Sequence, residues 1–297
     1  MTFTFRSLRS SLTLSVLLSL TMVFAQSQTR ASCNFRLFQL PQDIAASSPN
    51  GINDYGSVVG LAVDSSGGGR GFTGSAAGAI SYYSAPNAEP TYRSFTLFTG
   101  LNDAGVKVGN YAVNSTGAIQ KGFMLSGTTL TPIANPKSVD GTFVSGINKW
   151  NSVVGYYLDP LHAKGFKRFS NGSFVALNFP GAEDTWPTGI NDSGMVVGHY
   201  QHHGFIYFQG NWATLDYPKA TITSLNGLSN AGLIIGRSNS TKQGTAFLYQ
   251  NGSFKVISVP NSFSTSANGI SADGMITGTT NLDGTLNGWR GFIATCR

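Results

Sequence analysis

Charge is scarce in this sequence. Only 11% of its 297 residues are Asp, Glu, Lys or Arg, less than half of what a soluble domain usually carries. The basic residues are scattered, and Lys164, Lys167 and Arg168 form the densest group. A nucleic-acid footprint needs a basic stripe, so no nucleic-acid partner is expected. No apolar run after residue 25 approaches the ~20 residues of a spanning helix. Cysteine is limited to Cys33 and Cys296. Catalytic signatures are missing as well. There is no nucleophile-elbow pentapeptide, no phosphate loop, no His-Glu-x-x-His helix and no dinucleotide fingerprint. The sequence names no reaction, and no cofactor or metal is expected.

Glycine and small polar residues fill the space that charge leaves. There are 37 glycines, and hydrophobic residues make up 41%. That mixture suits short strands and tight turns rather than helices. Residues 1–25 read as a signal peptide, with Arg6 and Arg9 ahead of the apolar run Leu12 to Phe24 and a small-residue cleavage site at Ala25. The run is too short for a membrane anchor. Residues 26–297 then form one domain, expected to be monomeric and exported.

That domain is a repeat. Gly51-Ile52-Asn53-Asp54-Tyr55-Gly56 recurs at Gly100, Gly146, Gly189, Gly227 and Gly269, with starts separated by 49, 46, 43, 38 and 42 residues. A branched apolar run and a Gly follow each copy, as in Val58-Val59-Gly60. A second marker comes later: Gly71-Phe72, Gly122-Phe123, Gly165-Phe166, Gly204-Phe205, Ala246-Phe247 and Gly291-Phe292. An aromatic-x-x-Leu-x-x-Pro pattern ends the unit, as in Phe174, Leu177 and Pro180. Each unit reads as four strands, with Asn-Asp-x-Gly turning the first into the second. A single carboxylate per turn with no closing Glu argues against a calcium loop. Six such units at this period predict an all-β fold, a six-bladed β-propeller.

The chain ends sharpen this expectation. Phe35 to Pro41 carries the fourth-strand pattern with no blade before it. Gly291-Phe292 opens a third strand with no fourth after it. The N-terminal strand therefore closes the ring by pairing with the last blade. Aligned on Phe247 and Phe254, Cys296 and Cys33 fall where the fifth unit has Asn251-Gly252. A disulfide between Cys33 and Cys296 is predicted.

At this point the residues resemble a known family. The pattern Gly-Ile-Asn-Asp-x-Gly-x-Val-Val-Gly-x-Tyr, followed by Gly-Phe and Phe-x-x-Leu-x-x-Pro-Gly-Ala, is similar to the HAF family of bacterial extracellular repeat proteins. The clearest stretch is NFPGAEDTWPTGINDSGMVVGHY, residues 178–200. The resemblance implies export from a bacterium, as a secreted or periplasmic protein, and a propeller-like fold. It implies no reaction and transfers no catalytic residue.

Function, if local, is expected on the face opposite the Asn-Asp turns. His162, His202 and His203 fall in second-to-third-strand loops of adjacent units, and Glu183, Asp184 and Trp186 lie in the linker between those units. Imidazoles beside carboxylates suit acid–base work or a metal, although the spacing does not fix the geometry a metal needs. His199 reads instead as a strand residue. Trp186 and Tyr83, in or near linkers, are candidates for stacking on a sugar or a partner. The first reading is a binding or scaffold module for an extracellular protein or carbohydrate. The alternative is a propeller hydrolase or lyase acting on extracellular polysaccharide through the histidines.

Overall fold

A computed structural model of the chain describes residues 28–38, 43–75, 80–86, 95–112, 120–285 and 288–296. The proposed signal peptide and Tyr92, in the linker 82–93, lie outside them.

The first repeat folds as β3 (Ile44–Ile52), β4 (Ser57–Asp64), β5 (Gly69–Ser75) and β6 (Ser81–Tyr83). These strands are hydrogen-bonded in that order, antiparallel throughout. The next four repeats each build the same meander, from the axis outward. The last supplies three strands, β23 (Ser264–Ile270), β24 (Met275–Asn281) and β25 (Trp289–Cys296), and β2 (Cys33–Leu37) joins as the outermost. The chain is a six-bladed β-propeller.

The turn in each repeat does more than reverse the chain. Gly56, Gly105, Gly194, Gly232 and Gly274 all take φ between 74° and 86°, which glycine adopts without strain. The third copy has Asn151 there, at φ 56°, and Asn is the residue that best tolerates this conformation after glycine. Asn53 Oδ1 accepts from the amides of Tyr55 and Ser57. Its Nδ2 donates to the Asn102 carbonyl of the next blade at 3.3 Å. Asn102 reaches Asn148, Asn148 reaches Asn191, and Asn191 reaches Ser229 in the same way. The Asp works in the other direction. Asp103 Oδ1 accepts from the Asp54 amide at 3.0 Å, Asp192 Oδ1 from Lys149 N at 2.9 Å, and Asp54 Oδ1 from Ala272 N at 2.6 Å. The repeated motif is thus a turn and a clasp between blades. Degenerate copies mark missing clasps: Ser229 and Ser271 carry no amide to donate onward, and Lys149 carries no carboxylate.

The marker phenylalanines pack between blades as expected. Phe72, Phe123, Phe166, Phe205, Phe247 and Phe292 are each at most 1% exposed. The Gly after each apolar pair has a steric reason. An irregularity in the innermost strand swings a carbonyl over it, so a Cβ at Gly60 would lie 2.0 Å from Ser48 O and 2.8 Å from the Phe72 ring.

Ring closure follows the predicted register. Cys33 pairs with Cys296 and Phe35 with Ala294, and the two cysteines form a disulfide spanning 263 residues. Asn251 and Gly252, at φ 50° and 79°, form the equivalent hairpin turn in blade five. Asn171-Gly172 differs. Only Gly172 has positive φ there, and Asn171 Oδ1 accepts from the Ser173 amide in a longer turn. One strand was not anticipated. β1 (Gln28–Arg30) runs parallel to the outer strand of blade five, Ser253–Ile257, and gives that blade a fifth strand. The chain crosses this edge on its way to blade six and pairs as it passes.

Two outcomes are expected. Asn102→Ala removes bonds to Val106, Asn148 and Asn151 and leaves buried groups unpaired, a loss of about 2 kcal/mol in urea unfolding. Reducing the disulfide should lower stability by up to about 5 kcal/mol, and hydrogen exchange should show residues 33–37 opening first.

Candidate functional site

The innermost strands surround a channel whose two ends differ. At the turn end the ring of Asn-Asp side chains narrows it to about 90 Å³, between Asn53, Asn102, Asn148, Asn191 and their neighbours. Toward the opposite face it widens to about 620 Å³.

The wide part is built from two tiers. The lower tier is the residue before each Gly-Ile or Gly-Leu: Asn50, Thr99, Ser145, Thr188, Asn226 and Asn268. Most of these side chains donate to the next blade, for example Thr188 Oγ1 to Leu225 O at 2.7 Å and Asn268 Nδ2 to Pro49 O at 3.1 Å. The upper tier differs from blade to blade. It pairs a first-strand residue with the second-strand residue opposite it. The pairs are Ser48 with Leu61, Leu97 with Asn110, Phe143 with Tyr156, Trp186 with His199, Ser224 with Arg237, and Ser266 with Thr279. Blade three presents Phe143 and Tyr156 stacked at 4.6 Å and 5°, both lining the channel. Trp186 and His199 hold the same positions in blade four, stacked at 5.0 Å and 19°. The upper tier therefore carries aromatic pairs on two adjacent blades, one leucine beside a polar residue on each of blades one and two, and polar pairs on blades five and six.

His199 is the titratable group most altered by this setting. Burial lowers its pKa from 6.5 to about 4, and its Nδ1 is buried with no hydrogen-bond partner. It stays neutral through the ordinary pH range.

The residues expected from sequence are placed on this face but not all together. His162 opens the third strand of blade three and has Nδ1 3.6 Å from Asp184 Oδ1, while Asp184 also accepts from the Ala163 amide. His203 opens the third strand of blade four, with Nδ1 2.7 Å from Asp216 Oδ2. Asp216 also accepts from the Gly204 amide. The two histidines thus sit beside separate linker carboxylates, and only His203 is hydrogen-bonded to its own, since His162 Nδ1 is buried with no hydrogen-bond partner. His202 is exposed, and its carbonyl accepts from Thr223. Glu183 contributes its carbonyl to Lys164 Nζ, leaving its carboxylate at the surface. Among the described residues no three His, Cys, Asp or Glu side chains converge to hold a cation. Tyr83 belongs to the outer strand of blade one and packs on Phe98 and Phe123 at 5.6 and 6.3 Å, so its ring serves the core. Trp186 holds the register position that Phe143 holds in blade three. Tyr156, Phe143, His199 and Arg237 hold upper-tier positions that the sequence candidates do not include. The signal was available as the position that varies between otherwise matching repeats.

No family model matches the chain, and no curated protein matches it significantly. Solved structures do. A virginiamycin B lyase from Staphylococcus aureus with quinupristin is 12% identical with a TM-score of 0.51, covering 89% of this chain and 99% of that one. A lectin from Aleuria aurantia in complex with Fucα1-6GlcNAc is 12% identical at 0.51, covering 84% and 96%. A streptogramin B lyase structure is 12% identical at 0.51, covering 89% and 98%. At such identities the likeness shows the propeller fold alone. That fold serves lectins and lyases among these neighbours.

The buried imidazole gives a pH dependence. The unfolded chain takes up the His199 proton near pH 6.5, the folded chain only near 4. Stability is therefore fully present above 6.5 and falls as pH drops toward 4, by roughly 2 kcal/mol given the partial exposure. His199→Phe should keep the stack and flatten this part of the profile in thermal unfolding.

Proposed function

We propose that the chain is an exported binding module that takes a glycan at the wide mouth of its channel. The observation that carries the reading is the pair of parallel stacks, Phe143–Tyr156 and Trp186–His199, on adjacent blades. Flat rings at the rim of an open, half-polar channel suit a sugar, which offers C–H faces for packing and hydroxyls for hydrogen bonds. The lower tier supplies carboxamides and hydroxyls held by the next blade. The disulfide supports an oxidising compartment. Among the described residues no helix is long and apolar enough to cross a membrane. The repeat consensus supports a place among HAF repeat proteins.

A protein partner is the second reading. Val139, Leu161 and Phe263 stand in loops of the same face at 65%, 87% and 55% exposure, as an apolar contact surface would require. The hydrolase or lyase alternative has less support, because His162 and His203 belong to separate loops, each beside its own linker carboxylate.

A glycan array probed with wild type, Trp186→Ala and Tyr156→Ala tests the first reading. At least one glycan should bind the wild type and weaken about tenfold or more in each variant, while melting curves stay cooperative. An array with no wild-type binder would remove the glycan reading and leave a protein partner.

A further inference from the structure

Beside the aromatic stacks, blade five breaks the pattern. Its upper-tier pair is Ser224 and Arg237. The small Ser224 leaves a recess of about 220 Å³, lined by Ser224, Arg237, Ser238, Asn239, Thr241 and Lys242. Two cations share this recess, and among the described residues neither takes part in an ion pair. The hydroxyls of Ser224, Ser238 and Thr241, the Asn239 carboxamide, the Ile222 side chain and Gly244 complete the wall. No carboxylate lines it.

The recess is held in shape. Asn239 Oδ1 accepts from the amides of Thr221 and Ile222 at 3.0 and 2.9 Å, and its Nδ2 donates to Thr221 Oγ1. This clamps the linker from blade four onto the loop of blade five. Thr241 Oγ1 donates to Gly244 O, and Gly244 N donates back to Thr241 O. Gly244 sits at φ 80°, and a Cβ there would meet Arg237 Nε at 2.7 Å. Arg237 Nη2 and Cζ would lie 3.0 and 3.3 Å from the same Cβ, so the loop meets the Nε–Nη2 edge of the guanidinium, across a wall that glycine keeps low. A planar fork with paired N–H groups matches the two oxygens of a carboxylate or sulfate.

We infer that the ligand at the mouth is an anionic oligosaccharide, whose carboxylate or sulfate group enters the Arg237–Lys242 recess while a neighbouring ring packs near Trp186. This rests on the glycan reading and narrows it to acidic chains. The register orders the pieces around the axis: Phe143 and Tyr156, then Trp186 and His199, then Ser224 and Arg237. The first and second strands of blade four pack against the first strand of blade five, so the aromatic pair and the recess are neighbours.

Titration calorimetry with defined tetrasaccharides tests this. The probes are an oligogalacturonate, its methyl ester, and a sulfated oligogalactan without carboxylates. The acid should bind the wild type, with affinity falling as salt rises, and the methyl ester should bind at least tenfold more weakly. Arg237→Gln should weaken the charged probe about tenfold or more and leave the methyl ester unchanged. Lys242→Gln should have a smaller effect in the same direction. Arg237 is exposed, so neither substitution should move the melting temperature. Loss confined to the carboxylate or to the sulfate names which anion the recess takes, and equal loss on both means it takes either. Charged and esterified probes that bind alike, weakened by Trp186→Ala but not by Arg237→Gln, would overturn the anionic assignment and leave a neutral glycan site. Absence of binding by all three probes would overturn the anionic assignment, and an empty glycan array would overturn the glycan reading with it.

Discussion

The carboxamide of Asn53 holds its own turn with one atom and the next blade with another. Its oxygen collects the amides of the turn, and its nitrogen hands a proton to the neighbouring backbone. Asp54 answers from the opposite direction, accepting from the blade behind it. The rest of the propeller depends on this reciprocal clasp. Blades contact one another mainly through apolar side chains, and apolar contact has little directionality. Hydrogen bonds between buried groups do have direction, and leaving them unmade is costly. The turn ring therefore sets the angle at which one blade meets the next, and it fixes the narrow end of the channel.

Fixing one end frees the other. The clasps at the narrow mouth and the lower tier above them hold the blades together, and the upper tier is the layer left freest to vary. That upper tier does not repeat, and bulk, aromaticity and charge are distributed unequally there. That inequality gives an otherwise near-symmetric ring a sector. Phe143, Tyr156, Trp186 and His199 form a flat apolar arc, and Arg237 follows it with a guanidinium in no ion pair among the described residues.

Much of the fold was legible in the residues, because each repeated feature has a local cause. Positive φ at Gly56 needs glycine, closure needs a fourth strand for Phe292 to pair beside, and the register of Cys33 against Cys296 follows from aligning them on Asn251-Gly252. The extra strand at Gln28–Arg30 was not legible, since three residues of β1 carry no pattern of their own. The site was read less well. His162 and His203 drew attention as rare side chains, and the structure sets each beside a different linker carboxylate. Tyr83 looked available for stacking because two aromatics beside a linker look exposed, but the outer strand turns it onto Phe98. Trp186 was seen, but its partner His199 was read only as a strand residue. A repeat alignment emphasises what recurs, whereas the proposed site consists of what does not.

The disulfide stands where a two-residue turn stands in blade five. Cys33 and Cys296 face each other in the register that Asn251 and Gly252 occupy. The seam is therefore a covalent link in the ring, made through sulfur instead of a peptide bond, and the described chain from residue 33 to 296 has no topological beginning. Joining those two positions by a short turn and opening a linker elsewhere would yield a circular permutant with the same blades in the same order. The place where the gene starts is, for this ring, a matter of bookkeeping, and the mouth of the channel would be unaware of it.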